Sequence, residues 1–505
     1  MATTSLALGA ICLFIFLPTL TLLYLLLTVW TLQPRPPPSN APHHARSEEL
    51  PLLGALPYFT ERWDFIQRAS TRSPTGHFTF RAGPYTLIAL RGESGRRLFF
   101  DSKALNLGEG YRALLGGQAG DRTGEFLNEE YVSVRLVKLL KGPILKKGLP
   151  LLVADLRAMF DGLGKEGVTD PFDSIYRMVF QLTMRTVACK EVADSPTLSA
   201  QVLKHFETID ETGNTALAVL YPWLWTPSQI RRTWAGLRIY MIFRRCVDER
   251  RRTGRREEDA MQFLMDEGDS VRQIVEFIMG ALIAGQINSG VNAAWLITHL
   301  SNSPFWLSRV RAEISALADL HCPPHLTETI PLREKLPYIP LEAWESGLPT
   351  LDICLKDVIR LTLNGTAFRR NVSGRDIPID KEGKEVIPDR AFVVFPPNDA
   401  HKNPEIYSEP DKWDPSRYLP DRAEDKKQTY AWHGWGVSRH PCLGMRFAKL
   451  EMNLIAAFWF AYFDSTVCDA SGSGPVDRLP VIDSNDHSAK RPEERCYLRY
   501  AMRED

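Results

Sequence analysis

The 505-residue chain has no surplus of either charge, because 61 Lys+Arg stand against 61 Asp+Glu. A protein whose main partner is nucleic acid needs a basic excess for the phosphates, so that class is disfavoured. Paired thiols are also missing. The eight cysteines (Cys12, Cys189, Cys246, Cys322, Cys354, Cys442, Cys468 and Cys496) are scattered without a Cys-x-x-Cys pair. That spacing excludes a disulfide scaffold and a zinc ribbon. His321-Cys322-Pro-Pro-His325 has no fourth ligand nearby and reads as an ordinary loop. No internal repeat and no Ser/Gly-rich linker divides the chain. With 44% hydrophobic and 24% charged residues, the composition excludes disorder, collagen and a coiled coil. A single special thiol remains possible.

Charge is missing altogether before Arg35. From Leu6 to Trp30 the residues are nearly all apolar, enough for one membrane crossing. A secretory signal would have a basic start and a shorter core, and neither is present. Pro18 is tolerable in a membrane helix. Arg35 and Arg46 follow the run, which predicts a cytosolic body behind a signal anchor. Residues 1–33 are therefore expected to be a membrane anchor and 34–50 a stiff proline-rich linker. A cytosolic body should leave the sequons at Asn364 and Asn371 without glycan.

The rest, 51–505, reads as one mainly α domain with small sheets. His77–Gly83 and Tyr85–Leu90 predict a hairpin about Gly83-Pro84. Helical periodicity follows over 130–160, 171–191, 197–212, 227–252, 270–300 and 304–318. The apolar stretch Ala216–Trp225 is either core or a second membrane contact. The basic run Arg135, Lys138, Lys141, Lys146 and Lys147 is either a solvated helix face or a docking surface for an acidic protein.

The chemistry concentrates in Trp435-Gly-Val-Ser-Arg-His-Pro-Cys442-Leu-Gly-Met-Arg-Phe-Ala-Lys-Leu-Glu451, where a turn-rich segment leads into a helix. A cysteine just before a helix N-terminus faces aligned N–H groups, which favour thiolate. Gly444 lets something flat approach the backbone. A thiolate donating to haem iron fits, because it promotes O–O cleavage.

This stretch resembles the cysteine motif of the cytochrome P-450 family, Phe-Gly-x-Gly-x-Arg-x-Cys-x-Gly. Gly436, Cys442 and Gly444 match, Trp435 takes the Phe place, and Ser438 and His440 replace Gly and Arg. The pair Arg439-His440 is similar to that of sterol 14-demethylases. The resemblance implies a mainly α haem domain with Cys442 as axial ligand to the iron of haem b and Trp435 packed beside the thiolate. It also implies that Arg439 or His440 binds a propionate.

Phe277–Trp295 resembles the family's central helix across the haem, with Gly285, Asn288 and Ser289 at i, i+3 and i+4 on one face. The usual acid–alcohol pair is replaced by Ile287 and Asn288, so Asn288, Ser289 or a held water would relay protons. Asp357-Val-Ile-Arg360 resembles the Glu-x-x-Arg helix, and Pro410-Asp-Lys-Trp-Asp-Pro415-Ser-Arg417 supplies the third member of a structural cluster. Thr366-Ala-Phe-Arg369-Arg370 resembles the stretch that turns towards the distal pocket, with Arg369 or Arg370 reaching a propionate. Residues 481–500 resemble the final hairpin, and no Trp-x-x-x-Arg occurs near 130–145.

The resemblance implies a monooxygenase in the endoplasmic reticulum membrane, fed by an NADPH-dependent reductase on a basic face that includes Arg446 and Lys449. It implies a lipophilic small-molecule substrate. The style of the motifs resembles filamentous-fungal enzymes of specialised metabolism, suggesting a terpenoid, polyketide or alkaloid. The alternative is a haem-thiolate isomerase or dehydratase that rearranges a peroxide without external electrons.

Overall fold

One element organises the others. Val271–Ser301 is an unbroken 31-residue helix, opened by a capping box between Ser270 and Gln273. Among the described residues it is the one helix long and apolar enough to cross a membrane, and 61% of that window is buried inside the protein. The computed structural model describes residues 16, 18–20, 22–24, 37–50, 53–114, 129–213, 216, 225–474, 476 and 478–504.

Counting helices of eight residues or more, the first five are α1 (Arg62–Thr71), α2 (Gly92–Asp101), α3 (Leu107–Leu114), α4 (Glu129–Leu139) and α5 (Gly142–Leu163). They are followed by α6 (Pro171–Val187), α7 (Pro196–Gly213), α8 (Pro227–Thr253) and the central α9 (Val271–Ser301). The last three are α10 (Pro304–His321), α11 (Pro349–Thr362) and α12 (Met445–Tyr462).

The strands are β1 (Phe78–Ala82), β2 (Tyr85–Ala89), β3 (Leu105–Asn106), β4 (Glu166–Thr169) and β5 (Ala367–Asn371). After them come β6 (Ile377–Pro378), β7 (Val386–Ile387), β8 (Phe392–Phe395), β9 (Phe463–Cys468) and β10 (Tyr497–Met502). They make sheets of order β1-β2-β8-β5-β3, β4-β10-β9 and β6-β7.

The expected hairpin forms with Ala82 opposite Tyr85, and Gly83 takes φ +56° at its turn. The single helix expected over 130–160 divides into α4 and α5 at Gly142-Pro143. Proline cannot continue the α4 hydrogen-bond ladder but suits the first turn of α5. The tail also differs. β10 pairs with β9 and β4 rather than with a strand inside 481–496, which runs as turns. That segment lies against the stretch between α11 and β5, because a Cβ at Gly365 would meet the His487 carbonyl oxygen at 2.4 Å.

The core is helix on helix, with α9, α11 and α12 contributing Trp295, Leu355 and Trp459 to one cluster. α9 lies close to α6: a Cβ at Gly290 would meet the Tyr176 ring at 2.5 Å. Most of the anchor, the linker up to residue 36 and 217–224 lie outside the described residues. Residues 16, 18–20 and 22–24 are helical, and Phe16, Leu20, Leu22 and Leu23 are 55% to 69% exposed. Asn364 and Asn371 are buried, and their amides donate to Asp483, Arg375, Ile387 and Pro388 carbonyls. Their sequons are therefore closed to glycosylation in the folded protein, whatever its topology.

Candidate active site

The cysteine segment is a turn built by backbone bonds. The Cys442 N–H donates to the Trp435 carbonyl (2.7 Å) and the Gly436 N–H to the His433 carbonyl (3.0 Å). Gly436 takes φ +68°, and a Cβ there would meet the His440 carbonyl oxygen at 2.3 Å, so this glycine is obligatory. Ser438 also lies in the left-handed region, at φ 57°. Its hydroxyl donates to Asp101 Oδ1 (2.6 Å), which also accepts from Tyr430 (2.7 Å). For Ser438→Gly, relief of a left-handed backbone costing about 1–2 kcal/mol is offset by added chain entropy and the lost hydrogen bond. Thermal melting should show a change within about 1 kcal/mol for Ser438→Gly. Gly436→Ala should cost more than about 2 kcal/mol, because strain and clash add.

Among the described cysteines Cys442 is the exposed one, and the other six are buried. Its side chain stands at the start of α12, where the backbone N–H groups of Gly444 and Met445 hold its thiol down. Surrounding atoms nevertheless push the thiol up on balance, because desolvation outweighs those two donors. The helix start therefore supplies the expected donors without making a free thiolate; a metal ion would complete the ionisation. Leu443 and Met445 are also exposed, and a Cβ at Gly444 would meet only Cys442 Sγ, at 4.0 Å. No protein group demands glycine at 444. The loop thus offers a donor atom, apolar side chains and open space in one place, which fits a flat, largely apolar iron macrocycle.

Trp435 packs on the main core cluster beside this loop. Arg439 is exposed and His440 half-buried. His440 is held low by burial and then by the charges of Arg369 and Arg439, which places these three cationic groups together. Strand alternation separates the two arginines of β5. Arg369 is buried, donates to the Phe368 carbonyl and lies 4.8 Å over Phe99, whereas Arg370 pairs with Glu109 (3.2 Å) and lies over Phe392.

On α9, Ala284 and Asn288 are exposed in the middle of a largely buried helix, and a Cβ at Gly285 would meet nothing within 4 Å. Asn288 Nδ2 donates to the Ala284 carbonyl (3.0 Å), the expected competition for the helix ladder, yet the helix continues unbroken. Ser289 turns inward instead, towards Glu451. Asn292 ties α9 to α11 through the Thr362 hydroxyl at 2.6 Å.

Below the loop, Asp357 and Arg360 are both fully buried and bond at 2.7 Å. Arg360 also donates to the carbonyls of His401 (2.8 Å), Pro410 (2.5 Å) and Lys412 (3.0 Å), and Asp357 accepts from the Asp414 N–H and the Tyr418 hydroxyl. Arg417 approaches the Asp357 carboxylate only to 3.9 Å, and its Nε has no hydrogen-bond partner. Its stronger partner is Glu424, at 2.9 Å, while its other donors reach the Glu409 and Lys412 carbonyls. The short aspartate therefore serves Arg360, and a second carboxylate holds Arg417.

The basic surface is internally compensated. Arg446 pairs with Glu345, Lys449 with Asp352 (2.6 Å), Lys146 with Glu342 (3.0 Å) and Lys138 with Glu267 (2.9 Å). Gly142 lies against the Arg446 guanidinium, so the corner between α4 and α5 and the start of α12 share one face. Glu451, Thr183, Asn292 and the stacked buried pair His401–His433 carried no sequence signal beyond a polar residue inside an apolar run.

An exposed cysteine at the head of one buried helix, with exposed positions at Ala284 and Asn288 on a second, is compatible with a cofactor site. The cytochrome P-450 family model matches residues 145–487. The chain is 34% identical over 438 residues to the cytochrome P-450 monooxygenase AacuE of Aspergillus aculeatus, covering 84% of this chain and 86% of that one. It is 32% identical to the cytochrome P-450 monooxygenase nsrP of Aspergillus novofumigatus, covering 87% and 86%. A retinoic acid-bound cyanobacterial CYP120A1 shares the fold, with a TM-score of 0.69, 21% identity and coverage of 92% and 99%. The chain belongs to the cytochrome P-450 family. It is a monooxygenase oxidoreductase, and the family implies a haem cofactor.

Proposed function

We propose that this protein inserts one atom of O2 into a lipophilic small molecule of fungal specialised metabolism, drawing electrons from NADPH through a separate membrane-bound reductase. The observation that carries this reading is Cys442, the exposed cysteine among the described ones, at the head of α12 with open space at Gly444. When bound, the haem supplies the iron at which O2 is activated.

The chain's own residues hold and surround that group. Cys442 would donate sulfur to the haem iron, Trp435 packs on the core beside that loop, and Gly444 leaves room for a flat ring. Arg369, Arg439 and His440 form the cationic side, suited to two carboxylates. Gly285 and Asn288 line the oxygen side with Ser289 behind them, and 363–368 with 483–487 border the substrate space. Asp357, Arg360 and Arg417 hold the loop that precedes the cysteine.

Residues 1–33 would anchor the protein in the endoplasmic reticulum membrane, 34–50 would space it, and 51–505 would form the cytosolic catalytic domain. The reductase would dock on the face that carries Arg446 and Lys449. Exposed ion pairs there are worth under ~1 kcal/mol each, so an acidic partner can exchange with them.

Microsomes holding the protein and a fungal reductase should consume NADPH only when both are present, and candidate lipophilic compounds should shift the haem absorption on titration. Conversion of a peroxide substrate without NADPH or reductase would establish the isomerase or dehydratase instead.

A further inference from the structure

Two cysteines far apart in the chain meet in the fold. Cys189 follows the end of α6, and Cys246 lies on α8. Both are free thiols packed in the same apolar cluster, Cys189 fully buried and Cys246 8% exposed. Their sulfurs and a Glu191 carboxylate oxygen all lie within 4.8 Å of one another, and the two sulfurs share a hydrogen bond.

Arg250, one helical turn beyond Cys246, fixes this meeting point. Its guanidinium is 1% exposed and donates to both Glu191 oxygens (2.8 and 2.6 Å) and to Asp259 Oδ1 (2.8 Å). Asp259 Oδ2 accepts from the Lys190 N–H (2.9 Å), and the Met261 N–H donates to the Ala188 carbonyl (2.9 Å). Three chain segments are thus clamped around the two sulfurs. A divalent metal would need the Glu191 carboxylate as a third ligand, and Arg250 already holds it. The chemistry left to the pair is that of two adjacent thiols.

The two thiols are not equivalent. The Cys189 thiol donates to the Cys246 sulfur, which holds Cys246 low despite burial and the carboxylates of Glu191 and Asp259; the Arg250 charge adds to the lowering. Sharing its proton, and then burial, hold Cys189 up. Cys246 is therefore the nucleophile, and it is also the one that small solutes reach.

We propose that Cys189 and Cys246 are a modification site for hydrogen peroxide, closing to a reversible disulfide that fastens α8 to the segment after α6. The Cys246 thiolate attacks the O–O bond, forming the sulfenic acid and releasing hydroxide, which takes up the thiol proton as water. The Cys189 sulfur then attacks the Cys246 sulfur, the S–O bond breaks and a second water leaves. Two thiols and one H2O2 give one disulfide and two H2O. The two electrons lost by the sulfurs reduce the peroxide, and a dithiol reductant reverses the bond. Neither thiol has a part in oxygen insertion, so the site goes beyond the monooxygenase reading.

Haem-loaded enzyme treated with equimolar peroxide, then denatured in an alkylating reagent and digested with trypsin, tests this. Mass spectrometry should find Thr186–Lys190 joined to Cys246–Arg250, peptides that carry one cysteine each. The melting temperature should rise by about 3 °C and return on dithiothreitol treatment, because the bond closes a long loop. In Cys189→Ala a dimedone adduct should form on Cys246, whereas in Cys246→Ala none should form on Cys189. Wild-type protein alone carries the first two readouts, should either variant fail to fold.

Recovery of both peptides alkylated after peroxide overturns the proposal, and so does their recovery as sulfinic acids without a crosslink. A dimedone adduct on Cys189 in place of Cys246 overturns the assigned order. The two peptides report on this pair whatever the state of Cys442. Loss of the thiolate band would overturn the monooxygenase reading and leave this result standing.

Discussion

Replacing Cys442 by alanine should abolish the carbon monoxide-difference band of thiolate ligation and reduce NADPH-dependent turnover to background. No other described cysteine can substitute. Cys189, Cys246, Cys322, Cys354, Cys468 and Cys496 are all buried, away from the open space at Gly444. The haem-free protein should keep its melting point within the change expected of a surface substitution, about 0.5 kcal/mol. Its Sγ sits outside the packed core, and its protein partners are two helix-start N–H groups.

Cys354→Ala is the informative contrast. Its thiol is fully buried in the main core, so removal should lower stability by about 1 kcal/mol and leave the band unmoved. A Cys442→Ala protein that still shows the band, or a Cys354→Ala protein that loses it while folded, would refute the assignment. Difference spectra and calorimetry on the two variants decide it.

Arg360→Ala is expected to be the most destabilising single change outside the hydrophobic core. It leaves the fully buried Asp357 carboxylate without its partner and frees three carbonyls, of His401, Pro410 and Lys412. Removing one member of a buried ion pair costs about 3–5 kcal/mol, a large share of the roughly 5–15 kcal/mol that holds a protein folded. Arg360→Lys should recover little, because one ammonium cannot span a carboxylate and three carbonyls that diverge from it.

The yield of haem-loaded protein should fall with stability, since those carbonyls belong to the loop leading to the cysteine turn. In a cycle with Asp357→Asn, the double variant should lose less than the sum of the singles. Additive losses would show that the two side chains do not act as a pair. Arg417→Ala should follow a separate cycle with Glu424, its 2.9 Å partner, and couple weakly to Asp357 at 3.9 Å.

Several elements of this architecture are local properties of the chain. The hairpin at Gly83, the start of α9 at Ser270, and the break before α12 at Gly444 each depend on a turn or cap that a few residues specify. Cys442 and the Asp357–Arg360 spacing were legible for the same reason: both sit in short segments whose neighbours define their geometry. The split at Gly142-Pro143 was equally local, and the helical period on both sides obscured it.

What needed the tertiary structure was which side chains meet across helices. Asp357 alone left the cluster undetermined, because whether Arg417 closes on it or on Glu424 depends on the path of 408–424. Arg369 and Arg370 are adjacent in sequence, and only the sheet decides that one faces His440 and the other Glu109. The neutral balance of the surface followed from pairs between distant segments, such as Lys146 with Glu342.

Glu451 shows the limit most plainly. In the sequence it is a carboxylate in an apolar helix, and an isolated helix would turn it to water. Packing α12 against α6 and α9 closes that side and brings Thr183 and Ser289 to it. The sequence by itself determined the class of enzyme and singled out Cys442, because those depend on short segments whose neighbours define their geometry. The tertiary structure alone decided the ionic partners and the buried carboxyl, because desolvation and pairing are set by contacts between segments far apart in the chain.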